Sequence, residues 1–270
     1  MKFIDIHSHV SFPVYDADRE VVLLRMREKE VGTITVGVDL HSSSAAVALA
    51  EKEPDVFATI GLHPNNAPDE GFDEKAFSTL AVSKKVVGVG ECGLDYFRRD
   101  GTDSAEKQRQ YSQFEAQVIF AVQHDLPLMI HCRPSKGTMD AYKDLIDILK
   151  HYKSVGGEKL RGNIHFFVGD KEVARQFLEL GFSFSFTGVV TFARDYDEVI
   201  RYVPEEAILT ETDCPYVAPH PHRGERNEPS YIPYIAEELA RIRGVEASVF
   251  AEALRANACR VFSGMLLLPP

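Results

Sequence analysis

Two histidines separated by one residue, His7 and His9 in Asp5-Ile6-His7-Ser8-His9, are the side chains of this sequence best placed to do chemistry. They close an apolar run, Phe3–His7, that reads as a strand, and strand residues at i and i+2 share a face. Two imidazoles on one face at the C-terminal end of a strand make half of a metal site, with Asp5 expected one layer deeper as a supporting residue. The remainder is found at later strand ends. Glu91 lies in Gly90-Glu91-Cys92-Gly93-Leu94-Asp95-Tyr96, His131 in Ile130-His131-Cys132-Arg133, His165 in Ile164-His165-Phe166-Phe167, and Asp213 in Thr210-Glu211-Thr212-Asp213-Cys214-Pro215. Four imidazoles and two carboxylates suit two divalent ions of the borderline kind, with one carboxylate spanning them. Such a pair activates water and steadies the charge of a displacement, so the expected reaction is metal-assisted hydrolysis. His63, in Gly61-Leu62-His63-Pro64, reads either as a loop cap or as a contact in the same site. Glu211 precedes Asp213 by two residues, a spacing that suits orienting a ligand rather than serving as one.

For these residues to meet, the chain must bring many strand ends to one place. Apolar β-branched runs are expected as strands at Phe3–His7, Thr33–Asp39, Val56–His63, Val86–Leu94, Pro127–Arg133, Asn163–Phe167, Phe182–Val189 and Ile208–Asp213. Helical patterns alternate with them: Asp18–Glu30, Ser42–Lys52, Asp73–Ala81, Ser104–His124, Met139–Tyr152, Lys171–Leu180 and Asp195–Tyr202, then Ser230–Arg243 and Ala247–Phe262. Asp103 and Glu106 are spaced as a capping box for the fourth helix. Eight apolar strands alternating with helices imply parallel pairing buried on both faces. Over 270 residues, with no linker-like stretch, this predicts one domain, residues 1–270, folded as a closed (β/α)8 TIM barrel. An open doubly wound sheet would want a glycine-rich turn after the first strand, where this chain has His-Ser-His.

Composition narrows the partners. The net charge of −11 argues against a broad basic face along a duplex, although not against a phosphate held in a pocket. No apolar run resembles a signal peptide or membrane span, and the four cysteines show no CxxC spacing, so a cytoplasmic protein with reduced thiols is expected. Cys92, Cys132 and Cys214 each follow a proposed ligand, and alternation should turn them toward the helices as small apolar residues. His41, His124 and His151 are expected in solvent, while His220 and His222 lie in a proline-rich loop near the site mouth.

With these residues in view, the whole chain resembles the TatD family of metal-dependent nucleases within the amidohydrolase-like barrels. The resemblance rests on Asp5–His9 (D-x-H-x-H), Gly90–Tyr96 (G-E-x-G-L-D-Y), Ile130–Arg133 (I-H-x-R), Thr210–Tyr216 (T-E-T-D-x-P-Y) and Arg223–Pro229 (R-G-x-x-N-x-P). It implies that His7, His9, Glu91 and Asp213 hold one metal ion, and that bridging Glu91 with His131 and His165 holds a second. It also implies hydrolysis of phosphodiester bonds in DNA, often from the 3′ end. Related barrels often bridge their metals through a modified lysine on the fourth strand; Val86–Leu94 contains none and offers Glu91. One departure stands on strand six, where many members have His-Cys-Phe-Ser-Gly and this chain has His165-Phe166-Phe167-Val168-Gly169.

The expected roles follow. Asp213 binds metal and takes the proton of the attacking water; Arg133 and Arg223, with His63, are candidate contacts to a substrate phosphate, each arginine equally readable as a surface ion pair. Tyr96 or Phe97, just past the end of strand four, reads equally as a ring that stacks on a base and as core packing or rim filling. The substrate is expected to be a nucleic-acid end, DNA before RNA, bound by a monomer whose apolar tail, residues 265–270, packs on its own barrel. Zinc, manganese and magnesium all remain open as the metal. The rival enzyme reading is hydrolysis of another ester or amide, such as an aminoacyl-tRNA, on the same ions, and the rival non-enzyme reading is a metal-binding scaffold.

Overall fold

A computed structural model of the protein describes residues 1–67, 69–97 and 104–267. Its eight strands are β1 (Phe3–Ser8), β2 (Val31–Val36), β3 (Val56–Ile60), β4 (Val86–Asp95), β5 (Leu128–Arg133), β6 (Gly162–Ile164), β7 (Ser183–Phe186) and β8 (Ile208–Thr210). They form one sheet in sequential order, every neighbouring pair parallel. The sheet curls until its edges meet: Ser8 bridges Cys214, Asp213 N–H donates to His7 O at 2.9 Å, and His9 N–H donates to Cys214 O at 2.8 Å. The intervening helices are α1 (Arg19–Glu28), α2 (Leu40–Lys52), α3 (Glu74–Ala81), α4 (Ser104–His124), α5 (Asp140–Gly156), α6 (Lys171–Glu179) and α7 (Asp197–Tyr202), followed by α8 (Ile232–Arg243) and α9 (Ala247–Val261). The result is the single-domain TIM barrel expected from the alternation.

Local chemistry sets the helix starts. Asp39, Asp73 and Asp170 each accept a backbone N–H from the third residue on, satisfying an otherwise orphaned donor of α2, α3 and α6. The capping box expected at Asp103 falls outside the described residues. Helix α8 opens with Pro233 in its first turn and stops at Gly244, whose left-handed φ of +69° ends the hydrogen-bond ladder.

The core has two layers. Residues such as Ala46, Phe77, Phe114, Val118, Leu145 and Phe177 pack the helices onto the outside of the sheet. Inside, Ile4, Ile6, Ile34, Phe57, Val87, Met129 and Leu209 form a second cluster, closed from below by Phe262 and Met265 at the end of α9. Each such side chain, buried fully, contributes on the order of 2 kcal/mol. This plug makes the lower barrel a solid floor, shared with a few buried polar side chains such as Asn163 and Ser183, and the titratable side chains collect at the upper rim. Met265 shows the start of the apolar tail packing on its own barrel, as expected; residues 268–270 are outside the described set.

Several strands end earlier than their apolar runs suggest. β3 stops at Ile60 instead of His63, β6 at Ile164 instead of Phe167, β7 at Phe186 instead of Val189, and β8 at Thr210 instead of Asp213. β2 runs from Val31 to Val36 rather than to Asp39. The segments that carry the polar side chains have left the ladder: Phe166 and Asp213 adopt left-handed φ of +46° and +53°, which no strand accommodates.

Candidate metal centre

The rim residues converge around Glu91. On β4, Gly90 and Gly93 have φ of +150° and +140°, and a Cβ on either would lie 2.3 Å from Met129 O or 1.9 Å from His131 O. Only glycine permits this close approach of β4 to β5, and the register between them shifts between Val89 and Cys92. The irregularity carries Glu91 into the barrel mouth. Its Oε2 then lies 3.6 Å from His7 Nε2 and 3.9 Å from His9 Nε2, and its Oε1 lies 2.9 Å from His131 Nδ1, 3.2 Å from His165 Nε2 and 3.5 Å from His63 Nε2. One oxygen faces the histidines at the end of β1, and the other faces His131 on β5 and the histidines after β3 and β6. Asp213 Oδ1 completes the first group, 3.5 Å from His9 Nε2 and 3.8 Å from His7 Nε2.

The direction of the lone pairs tests whether this set suits cations. His9 Nδ1 lies 3.1 Å from Val36 O and His165 Nδ1 lies 3.1 Å from Glu211 Oε1. Both partners are acceptors, so each ring carries a proton on Nδ1 and turns its Nε2 lone pair inward. There the lone pairs meet carboxylate oxygens and His7 Nε2, which lies 3.3 Å from His9 Nε2. With the rings neutral, acceptors face acceptors at these distances, and either protons on the rings or a cation between them must supply positive charge. Imidazole with carboxylate is a donor set of borderline-to-hard character, and three overlapping groups of it have ligand atoms close enough for one ion each: His7, His9 and Glu91; His7, His165 and Asp213; His63, Glu91 and His131. The residues present therefore fit divalent metal.

The pKa shifts show the same need for positive charge, met by protons on the imidazoles. Burial opposes ionisation of Glu91, yet the charges of His63 and His165 and a hydrogen bond from His131 hold its carboxyl well below the usual range. Burial likewise opposes the charged form of His165, but Glu211 and Glu91 outweigh it and raise its pKa well above the ordinary imidazole value. At His7 burial dominates, aided by the charge of His165, and the pKa falls.

The supporting residues divide. Glu211 is buried, accepting from Phe166 N–H at 2.6 Å and Ser185 Oγ at 2.6 Å, with its Oε1 3.1 Å from His165 Nδ1. Asp5 does not sit beneath the histidines. The register of β1 shifts between Asp5 and Ser8, Ile4 and Ile6 take the interior, and Asp5 accepts from Thr212 N–H at 2.9 Å and Thr212 Oγ1 at 2.6 Å. It also accepts from His7 N–H at 3.2 Å, and so ties the backbone of β1 to the segment carrying Asp213. Asn227, in the loop Arg223–Pro229, braces the same segment through Nδ2 donations to Thr212 O at 2.8 Å and Tyr216 O at 2.6 Å.

A cavity of about 1060 Å³ opens over the cluster. His63 and Arg133 line it. His63 Nδ1 accepts from Asn65 N–H at 3.0 Å, which leaves the ring proton on Nε2, a donor aimed toward Glu91 and the cavity. The Arg133 guanidinium lies 4.0 Å from the centre of the Phe97 ring and has no ion pair among the described residues. Arg223 is not part of the lining; it stacks on Phe192, 3.9 Å from the ring centre, on the exposed surface. Of the two aromatic candidates, Tyr96 is buried with its hydroxyl donating to Asp144 at 2.9 Å, whereas Phe97 is 45% exposed in the cavity wall. Tyr216, 54% exposed in the opposite loop after β8, also lines the cavity and was not singled out by the sequence reading. Val168, the departure noted on strand six, lies in the same wall.

Other expectations resolve simply. Cys92, Cys132 and Cys214 are buried among apolar neighbours, with burial pushing the Cys214 thiol up to about 12. His41, His124 and His151 are exposed, and His222 stacks on Tyr231 away from the cavity wall. No described helix is long and apolar enough to cross a membrane. Asp95 is the site residue the sequence reading passed over: it is buried, and its Oδ2 lies 3.1 Å from His131 Nε2. Its spacing four residues after Glu91 on the same strand was the available signal.

Comparison with known proteins bears on family and fold. Residues 4–263 match the family model described as TatD related DNase. The chain is 37% identical over 262 residues to the uncharacterized metal-dependent hydrolase YabD of Bacillus subtilis (strain 168), covering 96% of this chain and 98% of that protein. It is 33% identical over 269 residues to the 3'-5' ssDNA/RNA exonuclease TatD of Pantoea ananatis (strain LMG 20103), covering 96% and 98%. The crystal structure of the TatD homologue YJJV from Escherichia coli K12 superposes with a TM-score of 0.85 at 28% identity, over 97% of this chain and 98% of that one. A dihydroorotase from Campylobacter jejuni, at 13% identity and a TM-score of 0.59, shares the fold alone. With the family model matching nearly from end to end, this chain belongs to the TatD-related DNase family and is a metal-dependent hydrolase.

Proposed function

We propose that the protein is a nuclease that removes nucleotides from a single-stranded nucleic-acid end, DNA in the first place and from the 3′ side, using two divalent ions. The observation that carries this reading is the split of Glu91, one carboxylate oxygen toward His7 and His9 and the other toward His131 and His165. In this reading His7, His9 and Asp213 hold one ion, His131 and His165 the other, and Glu91 both. Divalent ions in these positions supply Lewis acidity, making water a nucleophile near neutral pH and offsetting charge on a phosphoryl group. Asp213, its carboxyl held low against burial by a hydrogen bond from His9 and the charge of His165, is the base that takes the water's proton. His63 donates its Nε2–H to a non-bridging oxygen, and Arg133, with no ion pair among the described residues, offers N–H donors to a phosphate. Phe97 and Tyr216 present exposed rings at the cavity wall on which unstacked bases rest.

The cavity also supports an end-binding mode. Its cationic side chains, Arg133 and Lys136, lie in the wall of a pocket within an acidic protein, a layout that suits one chain terminus better than a duplex. A cytoplasmic monomer acting with zinc, manganese or magnesium belongs to the same proposal. The test is digestion of 3′-labelled single-stranded DNA by metal-stripped protein resupplied with magnesium, manganese or zinc, beside Glu91→Ala. Metal-dependent release that the variant lacks supports the reading. No release with any metal, from a protein that still binds two ions and cleaves an aminoacyl ester, transfers the chemistry to that substrate.

A further inference from the structure

Resting on the reading of the cluster as a two-ion centre, we propose that Asp95 is a positioning residue that makes His131 present Nδ1, rather than Nε2, to a metal ion. Asp95 is 1% exposed at the last residue of β4, and its Oδ2 accepts from Asn65 Nδ2 at 2.6 Å and lies 3.1 Å from His131 Nε2. Its other oxygen accepts from Phe97 N–H at 3.0 Å. Its backbone is gripped on both sides by the buried amide of Gln110, with Asp95 N–H donating to Oε1 at 2.9 Å and Nε2 donating to Asp95 O at 3.1 Å. An acceptor tethered at so many points cannot follow the imidazole; the imidazole must follow it.

The consequence is a choice of nitrogen. With Nε2 given to Asp95, His131 turns Nδ1 to Glu91 Oε1 at 2.9 Å. His165 solves the same problem in reverse, giving Nδ1 to Glu211 and turning Nε2 to the same Glu91 oxygen at 3.2 Å. Each imidazole on this side is thus backed by a buried carboxylate, an arrangement that fixes ring orientation and raises ligand basicity. The close approach of β4 to β5 at Gly93, opposite His131 in the register, brings the carboxylate within reach of the ring.

Calorimetric titration of metal-stripped protein with manganese tests the assignment without reference to turnover. Wild type should take up two ions. Asp95→Ala should keep one ion at wild-type affinity, the one held by His7, His9 and Asp213, and lose about 10–100-fold in affinity for the other. Asp95→Asn, whose amide oxygen still accepts from Nε2–H, should lose less, and melting curves establish that each variant is folded. Equal uptake of two ions by Asp95→Ala and wild type overturns the positioning role alone. Equal weakening of both sites in folded Asp95→Asn also overturns it, by showing a general structural part instead. A wild type that takes up fewer than two ions overturns the two-ion centre and this role together.

Discussion

The two sides of Glu91 are built differently. On the side of β5 and β6, His131 and His165 are each backed by a buried carboxylate, Asp95 and Glu211. On the side of β1, among the described residues, the Nδ1 of His9 meets the Val36 carbonyl and the buried Nδ1 of His7 has no hydrogen-bond partner. The side with backing carboxylates is richer in negative charge and holds its rings more firmly, so it should retain a cation more tenaciously. The β1 side relies on Asp213, a carboxylate in direct reach of its histidines that Asp5 and Asn227 brace through the backbone. One half is organised through side chains, the other through the closure of the barrel.

That contrast can be broken by substitutions of graded effect. Glu91→Ala should be the most severe because both halves lose their shared carboxylate: turnover falls about a thousandfold or more, measured under saturating metal, with two-ion uptake abolished. Loss of only one ion would mean that Glu91 serves one side. Glu211→Gln keeps an acceptor for Phe166 N–H, places an N–H donor where Ser185 Oγ now donates, and removes the charge behind His165; it should weaken one ion about 10–100-fold while the other is untouched. Equal effects on both ions would dissolve the distinction between the halves.

Arg133→Ala leaves both halves intact and should act on substrate alone, raising KM about 10-fold or more as a charge-assisted contact to phosphate is lost. A fall in metal uptake would contradict its placement in the cavity wall. The smallest effect belongs to a control far from either half. Glu246 caps α9, accepting from Val249 N–H at 2.9 Å, and hydrogen bonds from Ser248 and Val249 depress its folded pKa to about 2 from the ordinary 4.5. A depressed carboxyl stabilises the fold above its unfolded pKa and loses that contribution as pH falls toward the folded value. Glu246→Gln should therefore melt slightly earlier than wild type at pH 7, with the gap narrowing steadily below pH 4.5 and metal uptake unchanged.

Much of this molecule is written in local sequence. Apolar runs alternating with amphipathic ones specify eight strands and their helices, because periodicity and burial are properties of short segments. The ligand types and their rough location at strand ends follow from the same period. Tertiary structure decided what depends on several strands at once. The split of Glu91 between two histidine groups arises from the glycine-enabled kink of β4 against β5, which no alternation rule contains. Asp5 turns to the Thr212 segment rather than the ligand face, where β1 shifts in register against β2. Tyr96 turned inward to Asp144 while Phe97 stayed in the cavity wall, and Arg223 went to Phe192 on the surface. Which nitrogen of His131 and His165 faces the centre depends on carboxylates four residues past Glu91 and two before Asp213, and their reach is known only once the barrel has closed. Sequence determines which chemical groups are available along each strand; the stagger and twist of the closed sheet determine which of their atoms meet.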